Sequence, residues 1–369
     1  MRWLILAALL VLFLGCEKHS KPPKPIGNLR PEILAVTVTP SRVLASQEVF
    51  VDCRARDRDG DRLAYWWTST GGTFPAGSVR SSVRWWSPTG EAPQTLTAWV
   101  TDIADTVTAE IAIQISRVAP PDTLNFINGS NIVDLSWPAS PDRNVEHWTG
   151  YEIYRGPRSL IFAPEDSLQR YRLTAVPITR QQYRVARVTP GERVFFHVRS
   201  RRDYMGITER SLQGAEIETA ARLDGLGGSS LYEISSRRGA MGLHLPGGVI
   251  TPLDPERPEG IDLFLGTDGP LDQGGALVLK SPDLLSYRDP AWTSQVTGIA
   301  QLGTDWAVAI PPELPYGREA AVETDRVYAL FTNDGHYAKF RVLELAGTAP
   351  ERRIVFQWAW QPAPGYPRF

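Results

Sequence analysis

The sequence predicts a mainly β protein, two tandem β-sandwiches followed by a third, β-rich domain, and three observations lead there. Apolar residues recur at every second position in short runs separated by turn residues, the signature of antiparallel strands. Glycine and proline number 31 and 30 in 369 residues, which punctuates the chain too often for long helices. Tryptophan, tyrosine and phenylalanine contribute 12 each, at about 150–250 Å² of side chain apiece, enough bulk for several separate cores. At about 150 residues per domain the length suits two or three of them. A net charge of −2 gives no electrostatic footprint for nucleic acid or an anionic surface.

The chain opens with Met1-Arg2-Trp3, a positive start, and Leu4 to Leu14, an almost unbroken apolar run. That run is about half of the roughly 20 residues a helix needs to cross a bilayer, so residues 1–15 read as a secretory signal. Leu14-Gly15-Cys16 resembles the bacterial lipobox, with Phe13 where that pattern usually has Leu. The resemblance implies cleavage before Cys16, acylation of Cys16, and a tethered extracytoplasmic protein. Glu17 in place of Asp points to the outer membrane or cell surface under the enterobacterial sorting pattern. Two or three acyl chains, at about 0.8 kcal/mol per buried methylene, hold such a protein almost permanently. Residues 16–31 then form a polar, proline-rich spacer of roughly 3 Å per residue.

Residues 32–117 form the first predicted sandwich. Val49, Val51, Cys53 and Ala55 share one strand face, so Cys53 is a core thiol; with Cys16 lipidated it has no partner in its own chain. Leu63, Tyr65 and Trp67 share another face. The run Asp59-Gly60-Asp61-x-Leu63-x-Tyr65-x-Trp67, with Gly71-Gly72 and Trp99-Val100-Thr101-Asp102, resembles a PKD or related immunoglobulin-like module, a type that serves as spacer or adhesive unit. Asp57, Asp59 and Asp61 suit either a calcium loop or a plain Asp-Gly turn. The turn is favoured, because Gly60 comes too early for the EF-hand pattern and the twelfth position is Thr68. In Trp66-Trp67 and Trp85-Trp86 strand alternation turns one member of each pair outward. Trp66 and Trp86 are therefore candidate exposed contacts, for a domain interface or half-burial before a carbohydrate.

Pro120-Pro121 marks a boundary, and residues 118–219 form the second sandwich. Val133-x-Leu135-x-Trp137-Pro138, Gly150-Tyr151-Glu152-Ile153-Tyr154-Arg155 and Phe196-His197-Val198-Arg199-Ser200 resemble a fibronectin type III domain, with Val194 at the usual corner-tyrosine position. That resemblance implies Trp137, Tyr151 and Ile153 in the core. His147 and His197 are expected at the surface.

Residues 220–369 form the last domain. Thr219 to Asp224 looks helical, and Gly225-x-Gly227-Gly228 reads as a linker. Ile261 to Leu265 is a predicted strand, Ser281 to Tyr287 a helical turn or two, and Val327 to Leu345 a hairpin around Asp334-Gly335. There Ala329 and Phe331 are expected to face Ala338, Phe340 and Val342, and a last strand puts Ile354, Phe356, Trp358 and Trp360 on one face. Tyr328-x-x-x-Thr332-Asn333-Asp334-Gly335-His336-Tyr337-Ala338-Lys339-Phe340 with Phe356-Gln357-Trp358-Ala359-Trp360-Gln361-Pro362 is similar to the end of HmuY-like lipoproteins. Those are surface-tethered, and some capture haem. An axial ligand would be imidazole or thioether, and the domain offers His244, His336 and Met241, with Trp360 a further ligand-contact candidate. For His336 an exposed turn position is the plainer alternative.

No Gly-x-Ser-x-Gly, His-Glu-x-x-His, phosphate-binding Gly-Lys-Ser/Thr or Cys-x-x-Cys occurs, and the candidate acid–base pair Glu256 with Glu259 lies among prolines. The sequence thus points away from an enzyme. It favours a non-catalytic binding or adhesion protein, the sandwiches a stalk and the last domain a binding head, with an unidentified surface protein, glycan or small ligand as partner. Haem-type capture and a purely structural envelope role are the alternatives, and no cofactor is required unless haem or calcium binds.

Overall fold

The computed structural model describes residues 27–226, 230–311 and 313–369; the expected signal, Cys16 and most of the expected spacer lie outside them. The protein is mainly β, and it divides into two compact units at Ser116/Arg117.

The first unit contains β1 (Glu32–Thr39), β2 (Val43–Leu44), β3 (Glu48–Arg56), β4 (Ala64–Ser69), β5 (Ser82–Trp86), β6 (Gln94–Thr101), β7 (Thr106–Ile113) and β8 (Ile115–Ser116). One sheet runs β1-β3-β5, another β4-β6-β7, and β2 pairs parallel with β8, an immunoglobulin-like sandwich. Alternation buries Val49, Val51 and Cys53 from β3 with Trp67, Trp85, Leu96, Ala98 and Val100. The two buried indoles are tied at their polar ends: Trp85 Nε1 donates to Gly71 O at 3.0 Å and Trp67 Nε1 to Arg80 O at 2.9 Å. Gly72 has φ +75° and lies under Trp85, where a Cβ would come within 2.6 Å of Nε1, so no other residue fits there.

The second unit begins with β9 (Asn125–Gly129), β10 (Ile132–Ser136), β11 (Trp148–Gly156), β12 (Gln182–Ala186), β13 (Arg193–Tyr204), β14 (Ile207–Arg210) and β15 (Ala215–Ala220). The sheet β9-β10-β12 packs on β11-β13, whose far edge is shared by β14 and β15. Trp137, Tyr151 and Ile153 are in the core, as expected, with Val133, Leu135, Phe196 and Val198. His197 is a correction: it is fully buried. The segment after β11, including the short helix α1 (Glu165–Leu168), folds over the outer face of the sheet, where Leu160 and Leu168 pack on Tyr154.

The rest comprises β16 (Leu223–Leu226), β17 (Leu231–Tyr232), β18 (Gly242–His244), β19 (Val249–Thr251), β20 (Leu263–Thr267), β21 (Leu277–Lys280), β22 (Thr297–Gly303), β23 (Glu319–Ala321), β24 (Val327–Thr332), β25 (Tyr337–Ala346) and β26 (Arg353–Gln361). One sheet runs β16-β26-β25-β24-β22 with β17 also on β26, the other β19-β18-β20-β21-β23. Leucines of β18, β20 and β21 meet Phe340, Phe356, Trp358 and Trp360 between the sheets. The other face of β20 carries Phe264, covered by Leu285 and Trp292 of two 3₁₀ segments.

Two expectations are corrected here. The helical-looking link is a strand: β16 pairs with β26 from Leu223↔Trp360 to Leu226↔Gln357. Its Ala-Ala-Arg-Leu propensity yields to an otherwise open sheet edge. Ala221 and Arg222, between β15 and β16, bridge Pro190 and Ser130, so the passage between these two strands is tied down by backbone pairing, while Gly227 and Gly228 of the expected glycine linker lie outside the described residues. In the hairpin, Tyr328 lies opposite Phe340 and Leu330 opposite Ala338, so these face the core with Val342. Ala329 and Phe331 point to the other side with Lys339 and Tyr337, one residue out of the expected phase.

Candidate functional site

His244 ends β18 and leads into a 3₁₀ turn at Leu245–Gly247. Its Nδ1 lies 3.2 Å from Asp262 Oδ2, and that oxygen also accepts the Leu245 N–H at 2.8 Å. The Asp262 hydrogen bond holds the His244 pKa above its ordinary value against the opposing effect of burial. The Asp334 charge adds to it. His244 forms one wall of a cleft of about 590 Å³ beneath residues 251–261, whose apolar lining includes Val249, Pro252, Leu253 and Ile261. Pro252, Pro255 and Pro258 fix φ along that loop. Arg257 lines it and is exposed.

His336 is not an exposed turn residue. Its side chain is 17% exposed, its ring lies 4.7 Å from that of Trp360, and its Nδ1 is 3.0 Å from Asp334 Oδ1. Burial works to raise the Asp334 pKa, but the hydroxyl of Thr332 and the His336 ring together bring it below its ordinary value. Trp360, a candidate ligand contact, is 4% exposed and belongs to the core, because the sheet β19-β18-β20-β21-β23 packs on its face. Met241 is half-buried. Of the three axial candidates, only His244 lines the cleft. Glu256 and Glu259 are both exposed.

In the first unit Trp66 is half-buried and stacks on Trp99 across β4 and β6, with centroids 5.5 Å apart and planes 11° from parallel. Trp86 is half-buried in the other sheet, so the two indoles form no single platform. The ligand oxygens of Asp57, Asp59 and Asp61 all lie within 4.8 Å of one another. Asp57 Oδ1 accepts the N–H groups of Asp59, Gly60 and Asp61 at 3.0, 3.1 and 3.4 Å, and Asp59 Oδ2 accepts that of Leu29 at 2.9 Å. The Asp59 carboxylate raises the Asp57 pKa, while Asp57 and the Leu29 N–H lower that of Asp59. Three carboxylates supply about half of the 6–8 oxygens calcium takes, and the backbone already satisfies one of them. Cys53 is a free buried thiol, its pKa raised by burial and then by Asp52.

Sequence reasoning missed the charged layer on the outer face of β11 and β13. Glu152, fully buried, accepts from Arg210 Nε at 2.5 Å, Tyr154 Oη at 2.5 Å, Arg201 at 2.8 Å and Arg172 at 3.0 Å. Burial alone would raise its pKa, yet the bonds from Arg210, Tyr154 and Arg201 lower it to about 2. His197 accepts from Arg199 Nε at 2.9 Å and lies 3.4 Å from Glu216; burial lowers its pKa. Opposite charges alternating with apolar residues on both strands, followed by a long segment containing Leu160 and Leu168, are the signals that could have found it.

No family model and no curated protein matches this chain. Among solved structures it is similar to a segment of two fibronectin type III domains from chicken tenascin, at 14% identity over 52% of this chain and 98% of that one, with a TM-score of 0.25. It is also similar to a run of titin domains, at 11% identity over 53% and 67% of the two chains, with a TM-score of 0.23.

Proposed function

We propose that this is a lipid-anchored protein of the bacterial envelope that binds a ligand without transforming it. In this reading the two Ig/fibronectin-like sandwiches form the stalk and the C-terminal module the binding head. The anchor rests on the sequence of residues 1–16, with Cys16 as the acylated residue. The observation that carries the binding reading is the 590 Å³ cleft beside His244, within the usual range of about 300–1,000 Å³ for small-ligand sites. The passage from β15 to β16 through two backbone-bridged residues supports the stalk, since it couples the head to the sandwich before it.

Membrane fractionation and labelled-palmitate incorporation test the anchor. The wild-type chain is expected in the membrane fraction and Cys16→Ala in the soluble one; an unlabelled, soluble wild-type chain refutes it. For the head, heteronuclear NMR of the chain against a mixture of envelope-derived small molecules is expected to shift resonances around His244 and Ile261. Shifts confined to the other sandwiches would reassign the binding part.

A second reading, haem capture, draws on the HmuY-like resemblance and on His244, whose Nδ1 is held by Asp262 and whose Nε2 has no protein partner among the described residues. One imidazole at the cleft wall suits axial ligation from one side. Haem would supply an iron centre for that nitrogen. A saturable Soret band lost in His244→Ala supports this reading, and a flat titration ends it.

A further inference from the structure

We propose that the cleft beneath the Pro252–Ile261 loop is a site for a small amphipathic carboxylate, its anionic head held by Arg257 and His244 and its apolar body lying along Pro252, Leu253 and Ile261. This inference rests on the binding reading above and names the ligand class for it. Arg257 and His244 both line the cleft, and neither the guanidinium nor the imidazole Nε2 has an acceptor among the described residues. Three partly buried arginines of this module pair with carboxylates, Arg352 with Glu233, Arg341 with Asp325 and Arg326 with Glu323, whereas Arg257 has no such carboxylate among the described residues. A guanidinium and an imidazole nitrogen that both lack a protein acceptor, beside an apolar wall, complement a carboxylate on a hydrocarbon body.

The geometry of each donor favours that class. The Asp262 carboxylate fixes the His244 ring through Nδ1, so Nε2 is the nitrogen left to face a ligand. Guanidinium offers two parallel N–H groups to a carboxylate, which an alcohol cannot match and an ammonium head would repel. The acid at the lip, Asp254, accepts the Glu256 N–H at 2.9 Å and so closes the loop's own turn. The prolines that fix the loop lower the ordering cost of binding.

The test is calorimetric titration of the full chain carrying Cys16→Ala, which leaves no acyl group to compete, with decanoate below its micellar range and with decanol and decyltrimethylammonium as isosteric heads. Expected are saturable binding of decanoate, binding of the other two at least about tenfold weaker, and a loss of about tenfold or more in Arg257→Met that Arg257→Lys partly restores. Arg257 is exposed, so Arg257→Met should keep the wild-type near-UV spectrum, and the remote Arg170→Met should bind as wild type. Absence of decanoate binding, equal affinity for decanol, or an unchanged Arg257→Met overturns the proposal. A membrane-held chain that ignores decanoate sinks the cleft assignment and leaves the anchor intact; a soluble chain that binds it does the reverse.

Discussion

Replacing Glu152 by Gln should unfasten the outer layer of the fibronectin-like sandwich, and the size of the effect follows from its charges. Glu152 is fully buried, and three arginines that are 12–26% exposed converge on it. Its pKa of about 2, against an ordinary 4.5, corresponds to about 3 kcal/mol of stabilisation of the folded state at neutral pH. That agrees with the roughly 3–5 kcal/mol lost when one partner of a buried ion pair is removed. Because the folded pKa is depressed, the contribution is complete above pH 4.5 and disappears as pH falls toward 2; about 2 kcal/mol of it is gone by pH 3. The assay is amide hydrogen exchange of β11 and β13, which reads local opening free energy. At pH 7 Glu152→Gln should speed the slowest of these amides about a hundredfold. Between pH 7 and pH 3 their protection should fall in the wild type and stay nearly flat in the variant, after correction for intrinsic rates. A change below about fivefold, or parallel pH profiles, would refute the account.

Further tests follow from other sites. Lys339 is buried, its Nζ donates to the carbonyls of Trp306 and Val308, and burial lowers its pKa to about 8. The unfolded chain then binds more protons between pH 8 and 10.5, so urea unfolding should show stability rising by up to about 3 kcal/mol over that range, a rise that Lys339→Met abolishes. The Trp66–Trp99 stack should show a coupling of about 1 kcal/mol in a double-mutant cycle to alanine, and a value near zero would remove its structural role. Cys53 should react with a thiol reagent only on unfolding; rapid labelling of the native protein would contradict its burial. Asp262→Asn should return the His244 pKa toward its ordinary value in an NMR titration. Since the folded pKa is the raised one, what this pair adds to stability is present below about pH 6.5 and lost as pH rises through the folded value.

Period-two alternation made the cores legible: Val49, Val51, Cys53, Trp67, Trp137, Tyr151, Ile153 and Phe356 lie where the pattern puts them, because a pleated strand has two faces and one must be dry. What alternation cannot report is what covers the other face. His197 is read as exposed until the segment around α1 folds over it, and Trp360 as a ligand contact until the sheet containing β18 and β20 closes on it. In the hairpin β25 has the expected phase and β24 is out by one position, because Ala329 is buried as fully as Tyr328, which leaves no polar residue there to mark the phase. At the candidate site His244 was legible as a residue type. The Arg257 wall was not, since only the fold of a proline-rich loop brings it beside β18 and β19.

The join between β15 and β16 also has a mechanical meaning. If a ligand held by the last module is pulled away from a tethered chain, tension enters that module through Ala221 and Arg222. A strand drawn along its own axis yields only when its ladder bonds shear together, whereas a loose linker would first uncoil and absorb the displacement. With Gly191 N–H on Ala221 O at 3.0 Å, Gln361 Nε2 on Ala220 O at 3.2 Å and Tyr366 Oη on Glu218 O at 3.0 Å, the load is shared across both sandwiches at the point where it would otherwise concentrate. Under a steady pull this pair of modules should lengthen little before it fails, and then fail abruptly.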